Sequence, residues 1–127
     1  MPRPLLRLLP LLLLLFAACA TNKKLAVSAD LYQHWMHSYE EDDANVKMYR
    51  PASYSFPPSR GREGFEIKKD GTFIKYAIGA NDAPQKIQGK WKAKKRDTIE
   101  VTLDDPAEKP YTIKILSVNA GQLKTQQ

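Results

Sequence analysis

The stretch Gly64–Gly79 constrains the fold most, because it reads as two strands joined by a tight turn. Phe65 and Ile67 alternate with charged residues, which is the period-two pattern of a strand with one buried face. Asp70-Gly71 is a strong hairpin-turn signal, and the β-rich run 73–78 follows it. The stretch therefore predicts an antiparallel β-hairpin.

The same pattern of short strands and turn signals repeats along the chain. The connections are mostly too short for crossover helices, so parallel pairing is disfavoured. Closing such a sheet removes the exposed edges that eight strands would otherwise present. We therefore predict an all-β fold, a small antiparallel up-and-down barrel of about eight strands. The predicted strands are 35–41, 46–50, 65–68, 73–78, 87–94, 98–103, 111–118 and 122–126.

The N-terminal stretch has the order of a secretory signal. Arg3 and Arg7 precede an apolar run over 8–16, which small residues follow. A transmembrane helix needs about 20 apolar residues, and this run is shorter and interrupted by Pro10. The pattern predicts a signal peptide over residues 1–18.

The segment Phe16-Ala17-Ala18-Cys19 resembles the lipobox of bacterial lipoproteins. The resemblance implies diacylglycerol on the thiol of Cys19, with Cys19 as the first mature residue. Cys19 is the sole cysteine, so no intramolecular disulfide can form, and acylation would account for it. The alternative is ordinary cleavage after Ala18 or Ala20, with Cys19 incidental.

The resulting organisation is a signal peptide (1–18), a lipidated N-terminus and tether (19–28) and a lipocalin-like β-barrel domain (29–127). Loss of Arg3 and Arg7 lowers Lys plus Arg from 20 to 18 against 14 acids, a net charge of about +4. This modest excess gives no reason to expect a nucleic-acid partner. The expected partner is the membrane of the bacterial cell envelope, bound through the lipid. Since Ala20 is not aspartate, the resemblance favours the periplasmic face of the outer membrane in a host with two membranes.

Five segments carry a resemblance to bacterial lipocalin-like domain proteins. They are 65–73, Gly89-Lys-Trp91, 98–103, 111–116 and 122–124. Tyr49-Arg-Pro51 and 56–65 resemble a group of small lipoproteins within that family. The resemblance implies a non-enzymatic binding or accessory module for a small apolar ligand or an envelope protein.

Nine apolar residues are predicted to form the core. Two Trp and several Phe in so short a chain predict a mostly filled barrel. Trp35 and Trp91 are also candidates for contact with a ligand or partner. The predicted core residues are Trp35, Phe65, Ile67, Phe73, Trp91, Ile99, Val101, Ile113 and Ile115.

The proline-rich connection 51–62 and the strand before it form an aromatic and cationic group. Arginine forks can bind carboxylate or phosphate, so a recognition surface for an acidic or sugar ligand, or for a partner, is one interpretation. The other is that these arginines pair with Glu40, Glu41 or Glu63 and hold the loop over one end of the barrel. The candidate residues are Tyr49, Arg50, Tyr54, Phe56, Arg60 and Arg62.

His34 and His37, with acidic residues at 40–43, define an alternative metal-binding hypothesis. The segment 29–41 fits a helix or a strand; we predict a helical turn over 30–34 followed by a strand over 35–41. Residues three apart share a face on a helix but point to opposite faces on a strand. The strand interpretation therefore counts against a metal site, and we expect no metal and no cofactor.

No sequence pattern indicates catalysis. There is no Gly-x-Ser-x-Gly elbow, and acylation would consume the one thiol. We therefore expect a cell-envelope lipoprotein with a non-enzymatic binding barrel. The alternatives are the metal-binding protein and a purely structural lipoprotein.

Overall fold

The computed structural model describes residues 24–126 of the chain. The predicted signal peptide, the predicted lipidation site Cys19 and the first part of the predicted tether lie outside the described residues. Within residues 24–126, no helix has the length and apolar character needed to cross a membrane.

Eight β-strands carry most of the regular structure, and three single-turn 3₁₀ helices lie at Ala29–Leu31, Tyr39–Glu41 and Ala80–Asp82. The strands are β1 (His34–His37), β2 (Val46–Pro51), β3 (Gly64–Ile67), β4 (Thr72–Ile78), β5 (Pro84–Lys95), β6 (Thr98–Leu103), β7 (Tyr111–Asn119) and β8 (Gln122–Gln126).

The strands form one closed antiparallel barrel in the order β1-β2-β8-β7-β6-β5-β4-β3. This confirms the predicted eight-stranded, lipocalin-like all-β fold. Strands β3 to β8 follow one another in sequence, as in an up-and-down barrel. Strand β1 lies between β2 and β3 and pairs with both. The connection 52–63 therefore has to run past β1 to reach β3.

The first strand is shorter than predicted: β1 ends at His37 rather than at residue 41. The backbone N–H of Ser38 still donates to the carbonyl of Met48 at 2.8 Å, but the chain then turns. The N–H of Glu41 donates back to the carbonyl of Ser38 at 2.9 Å, which closes a 3₁₀ turn instead of extending the ladder. The predicted helical turn is likewise displaced, to Ala29–Leu31.

Two glycines occupy positions where a side chain would be strained or would collide with the neighbouring backbone. Gly71 has a φ of +95° in the turn after β3, where the side chain of Asp70 accepts the N–H of Thr72 at 2.9 Å. At Gly64, a Cβ atom would collide with the carbonyl oxygen of Trp35 on β1. The close pairing of β1 with β3 therefore depends on the absence of a side chain there.

One end of the barrel is filled by apolar side chains, and we call it the closed end. It carries the turns 68–71, 96–97 and 120–121 and the 3₁₀ helix Ala29–Leu31. Leu31 is fully buried there, and its carbonyl accepts the indole N–H of Trp35 at 2.9 Å. The opposite end, with the turns 38–45, 79–83 and 104–110, is called the open end.

Seven of the nine predicted core residues are buried, whereas Trp91 and Ile113 are half-buried. Trp91 lies beneath the turn 68–71 and donates its indole N–H to the carbonyl of Lys68 at 2.7 Å. Ile113 faces a cavity at the open end. The prediction of a mostly filled barrel therefore holds only for the closed end.

The described part of the predicted tether is attached to the barrel. The N–H of Ala26 donates to the carbonyl of Arg96 at 2.7 Å. Leu25 and Val27 pack against the core. The chain therefore reaches the barrel at the closed end.

Two leucines test the assignment of the core. Leu123 is fully buried inside the barrel, whereas Leu116 on the neighbouring strand β7 is 46% exposed. We expect Leu123→Ala to lower the free energy of unfolding by about 2–5 kcal/mol, because it removes buried methyl groups and leaves a cavity. The matched variant Leu116→Ala should cost no more than about 0.5 kcal/mol. Urea unfolding of residues 22–127 measures both, and equal losses would contradict the assigned faces.

Candidate functional site

A cavity of about 410 Å³ opens at the open end of the barrel. Its walls come from most of the strands around the barrel, together with residues of the turns at that end. The lining residues considered below are His37, Lys47, Tyr49, Glu63, Phe65, Lys75, Glu108, Tyr111, Ile113 and Thr125.

Two lysines lie on the inner face of the barrel. Side chains alternate between the two faces of a strand, and cross-strand partners share a face. Lys47 pairs with the buried Thr125, and Lys75 pairs with the buried Phe65. Both lysines are half-buried and line the cavity. Within the described residues, no carboxylate lies within ion-pair distance of either ammonium group.

Unpaired ammonium groups on an inner wall are uncommon, because lysine is rarely buried without a partner. Removing a charge from water costs free energy unless another charge or hydrogen-bond acceptor compensates it. Lys47 and Lys75 are half-buried and have no ion-pair partner among the described residues, so they offer two positive charges that an anionic group in the cavity can neutralise.

Two tyrosines contribute hydroxyl groups to the same cavity. Burial raises the pKa of Tyr49 to about 12, and the carboxylate of Asp42 adds to this effect. Burial also raises the pKa of Tyr111 to about 12, with a further contribution from Glu108. Both phenols are therefore protonated at neutral pH. Neither hydroxyl makes a hydrogen bond within residues 24–126, so both are available as donors.

Aromatic rings form one continuous wall between the filled core and the cavity. The ring centroids of Tyr49 and Phe65 are 4.8 Å apart, and those of Phe65 and Phe73 are 5.5 Å apart. Phe73 meets Tyr111 edge-on at 6.5 Å. Offset and edge-on contacts of this kind favour a fixed arrangement of the rings. The cavity therefore has a rigid apolar floor and polar groups on its sides.

Acidic groups lie at the mouth of the cavity. The carboxylate of Asp42 lies 2.9 Å from Nε2 of His37 and accepts the N–H of Met48 at 2.9 Å. Glu63 and Glu108 lie on the strand-connecting segments at this end. The open end of the cavity therefore carries charges of both signs, because Lys47 lies near the rim with these carboxylates, whereas Lys75 lies deeper.

The arginines predicted as recognition residues instead hold the connection 52–63 and β2 in place. Arg50 donates to both carboxylate oxygens of Glu41, at 2.8 and 2.7 Å, and to the carbonyl of Gly121. Its guanidinium also lies 5.0 Å from the ring centre of Tyr54. The second interpretation of this group, a structural one, is therefore the one that the geometry supports.

Arg62 makes an equivalent set of contacts. It donates to both carboxylate oxygens of Glu40 and to the carbonyls of His37 and Pro57. Its guanidinium lies between the rings of Tyr39, at 4.7 Å, and Phe56, at 4.6 Å. These contacts fasten the connection to the end of β1.

The other predicted site residues do not converge with the cavity. Tyr54 and Phe56 pack edge-on against each other in the connection, with centroids 4.9 Å apart. Arg60 is exposed and makes no ion pair within the described residues. Trp35 is fully buried at the closed end, and Trp91 lies at the same end, where it is hydrogen-bonded to Lys68. Of the predicted ligand-contacting residues, Tyr49 is the one that lines the cavity.

His34 and His37 lie on opposite faces of β1, as the strand interpretation requires. His37 lines the cavity, whereas His34 stacks on Tyr76 outside the barrel with centroids 4.2 Å apart. Burial lowers the pKa of His34, opposed in part by Glu66. Among residues 24–126, no three His, Cys, Asp or Glu residues come close enough to hold a metal ion. The structure therefore does not bring the proposed metal ligands together.

Sequence reasoning missed Lys47, Lys75 and Tyr111 as cavity residues. A signal for Lys75 was present, because it has the same parity as Phe73 in a strand whose inner face is otherwise apolar. A lysine at a position that alternation assigns to the apolar inner face means either that the strand register is wrongly predicted or that the inner face lines a polar cavity. Only the strand pairing in the structure distinguishes these two cases.

Comparisons with known proteins identify no relatives: no family model, no curated protein and no solved structure matches this chain.

The Arg50–Glu41 pair predicts a specific dependence of stability on pH. Hydrogen bonds from Arg50, and secondarily from Ser38, lower the pKa of Glu41 from 4.5 to about 2. Such a group stabilises the fold above its unfolded pKa, and this stabilisation is lost as the pH falls from 4.5 towards 2. Arg50→Gln should therefore cost about 0.5–1 kcal/mol at neutral pH, as expected for a partly exposed pair. Below pH 4.5, the difference from wild type should shrink.

Arg60→Gln is the matched control, because Arg60 is exposed and has no ion-pair partner among the described residues. Chemical unfolding at several pH values measures all three proteins. A gap between Arg50→Gln and wild type that stays constant down to pH 2 would contradict the assigned role of the pair.

Proposed function

We propose that this protein is a lipid-anchored protein of the bacterial cell envelope whose barrel binds a small amphipathic anion without catalysing a reaction. The observation that carries the proposal is the convergence of Lys47, Lys75 and two free phenol groups on one cavity. The expected ligand class is thereby narrowed from apolar molecules to molecules with an apolar body and an anionic group.

The volume supports a ligand rather than a few waters. Cavities that bind small molecules typically measure about 300–1,000 Å³, and this cavity measures about 410 Å³. Its floor of Phe65 and its side wall at Ile113 suit an apolar or aromatic body. The ammonium groups suit a carboxylate, sulfonate or phosphate, since charge-assisted hydrogen bonds are the stronger ones.

The charge pattern supports an anionic group beside Lys75. Lys75 pairs with Phe65, which lies two residues farther from the open end than Glu63, whereas Lys47 lies near the rim as the second residue of β2. A ligand with its anionic group beside Lys75 and its neutral or cationic part near Glu63 and Glu108 satisfies these charges. A small inorganic anion would meet the same carboxylates without the apolar contact.

A binding role agrees with the side chains around the cavity. Within residues 24–126, His37 is paired with Asp42, and no serine or threonine hydroxyl is hydrogen-bonded to a histidine. A nucleophile of that kind needs a base within hydrogen-bond reach. The cavity groups can bind and orient an anion, which is what a carrier or sensor module requires.

The anchoring and location in this proposal rest on the N-terminal sequence. The lipobox resemblance at 16–19 supports acylation of Cys19 and retention in the envelope, with the outer membrane expected in a host with two membranes. Two or more acyl chains would anchor the protein stably.

A matched pair of fluorescent probes tests the ligand class. Anilinonaphthalene sulfonate and N-phenylnaphthylamine share an aromatic body, but only the first carries an anion. Residues 22–127 contain all eight strands and serve as the soluble test protein. We expect tighter binding of the sulfonate, and Lys47→Met with Lys75→Met should weaken it by about tenfold or more, because charge-assisted hydrogen bonds are lost. Binding of the uncharged probe should change little.

Lys90→Met with Lys109→Met is the control, because both lysines are exposed and lie outside the cavity lining. It removes the same charge and should leave both probes unaffected. Equal weakening of both probes in the cavity variant, or no binding of either to the folded wild type, would contradict the proposal.

A further inference from the structure

The closed end of the barrel carries an exposed cluster of positive charge. Three aspartates, Asp30, Asp70 and Asp97, lie in the same region. Their carboxylates accept local hydrogen bonds from Ser28, Thr72 and Thr98, respectively. Lys94 also lies 3.9 Å from Glu100, a loose contact at the surface. We call this cluster the basic end; its residues are Lys24, Lys68, Lys69, Lys94, Lys95 and Arg96.

The open end has the opposite charge. The turn 40–43 contributes four carboxylates and the connection 104–110 contributes three, and Glu63 and Asp82 add two more. The cations near this end are Lys47, Arg60, Arg62, Lys86 and Lys109, which the carboxylates outnumber. The barrel therefore has a charge asymmetry along its axis, with the cavity mouth at the acidic end.

The N-terminal chain enters at the basic end. Ala26 is hydrogen-bonded to Arg96, in the turn between β5 and β6. Lys24 lies five positions after Cys19, and an extended chain covers five positions in at most about 18 Å. A lipid on Cys19 would therefore hold the bilayer close to the basic end and far from the cavity mouth.

We propose that the basic end is a docking surface for an anionic lipid bilayer, which orients the barrel with its cavity mouth away from the membrane. This inference rests on the lipid anchor of the proposed function for its geometry, but its charge argument is independent of the ligand. Exposed lysines can reach lipid phosphates directly, and charges separated by more than about 8 Å are largely screened at physiological salt. The anionic bilayer attracts the basic end, and it would repel the acidic open end if the barrel were turned over. Both effects therefore favour the orientation with the basic end on the membrane.

Lysine acetylation of the full mature protein on preformed vesicles tests the orientation. One vesicle population is phosphatidylcholine alone, and the other contains equal parts of phosphatidylcholine and phosphatidylglycerol. Mass spectrometry follows the reaction of each lysine. On the anionic vesicles, we expect Lys68 and Lys94 to react at least about threefold more slowly than on the neutral vesicles, because lipid headgroups would cover them. Lys109 should react equally on both, and added salt should remove the protection.

A pair of charge-reversal variants supplies the control. Lys69→Glu with Lys95→Glu alters the basic end, whereas Lys86→Glu with Lys109→Glu makes the same charge change near the open end. The first should abolish the protection of Lys68 and Lys94, and the second should retain it. Equal protection on both vesicle types would mean that the tether alone sets the orientation and would overturn the proposal. Protection that appears only with an added acidic wall polymer would overturn it in favour of that partner.

The intact mass of the purified protein separates this inference from the proposed function. If Cys19 carries no lipid, the anchoring part of the proposed function fails, and salt-sensitive sedimentation with the anionic vesicles tests the basic end by itself. Sedimentation would then support the docking surface, and its absence would overturn it. The outcome of the fluorescent-probe experiment bears on the cavity alone.

Discussion

Closure of the eight-stranded sheet is the constraint on which the rest of this structure depends. A barrel of this size encloses an interior just wide enough for side chains or for one small ligand. The size and polarity of each inward side chain therefore determine whether the interior around it is filled or left open. Trp35, Phe73 and Leu31 fill the closed end. Lys47 and Lys75 occupy inward positions at the open end, where their charges oppose the dense apolar packing seen below them.

The barrel closes through β1, which has four residues and pairs on both sides. So short a strand contributes few ladder hydrogen bonds, and its neighbours supply the remaining restraint. Arg62 donates to the carbonyl of His37 at the end of β1, and Arg50 ties β2 to Glu41 in the turn that precedes this strand. These arginines therefore support the cavity wall from outside. The arginines of this segment therefore have a structural role, because Glu40, Glu41 and backbone carbonyls already accept the hydrogen bonds that Arg50 and Arg62 donate.

The distribution of charge gives the barrel two different ends. The turns at the closed end are lysine-rich, and the turns at the open end are acidic. Since the N-terminal chain leaves from the closed end, the same asymmetry relates the expected anchor, the bilayer and the cavity mouth. In the proposed arrangement, the mouth faces the aqueous compartment, where a ligand or an acceptor protein can reach it.

The sequence by itself determined the all-β class, most strand positions and most of the core, because alternation and turn chemistry are local signals. It also contained the N-terminal pattern and the cysteine from which a leader and an anchor are inferred. Local signals could not show that β1 pairs with β3 as well as β2, because that pairing joins residues about 30 positions apart. They placed Arg50 in a strand and Arg60 and Arg62 in the connection after it, but left their role open, because only folding brings the partner carboxylates to these arginines. Tertiary structure alone decided that Lys47, Lys75 and Tyr111 share one cavity, because they come from three strands that meet only when the barrel closes.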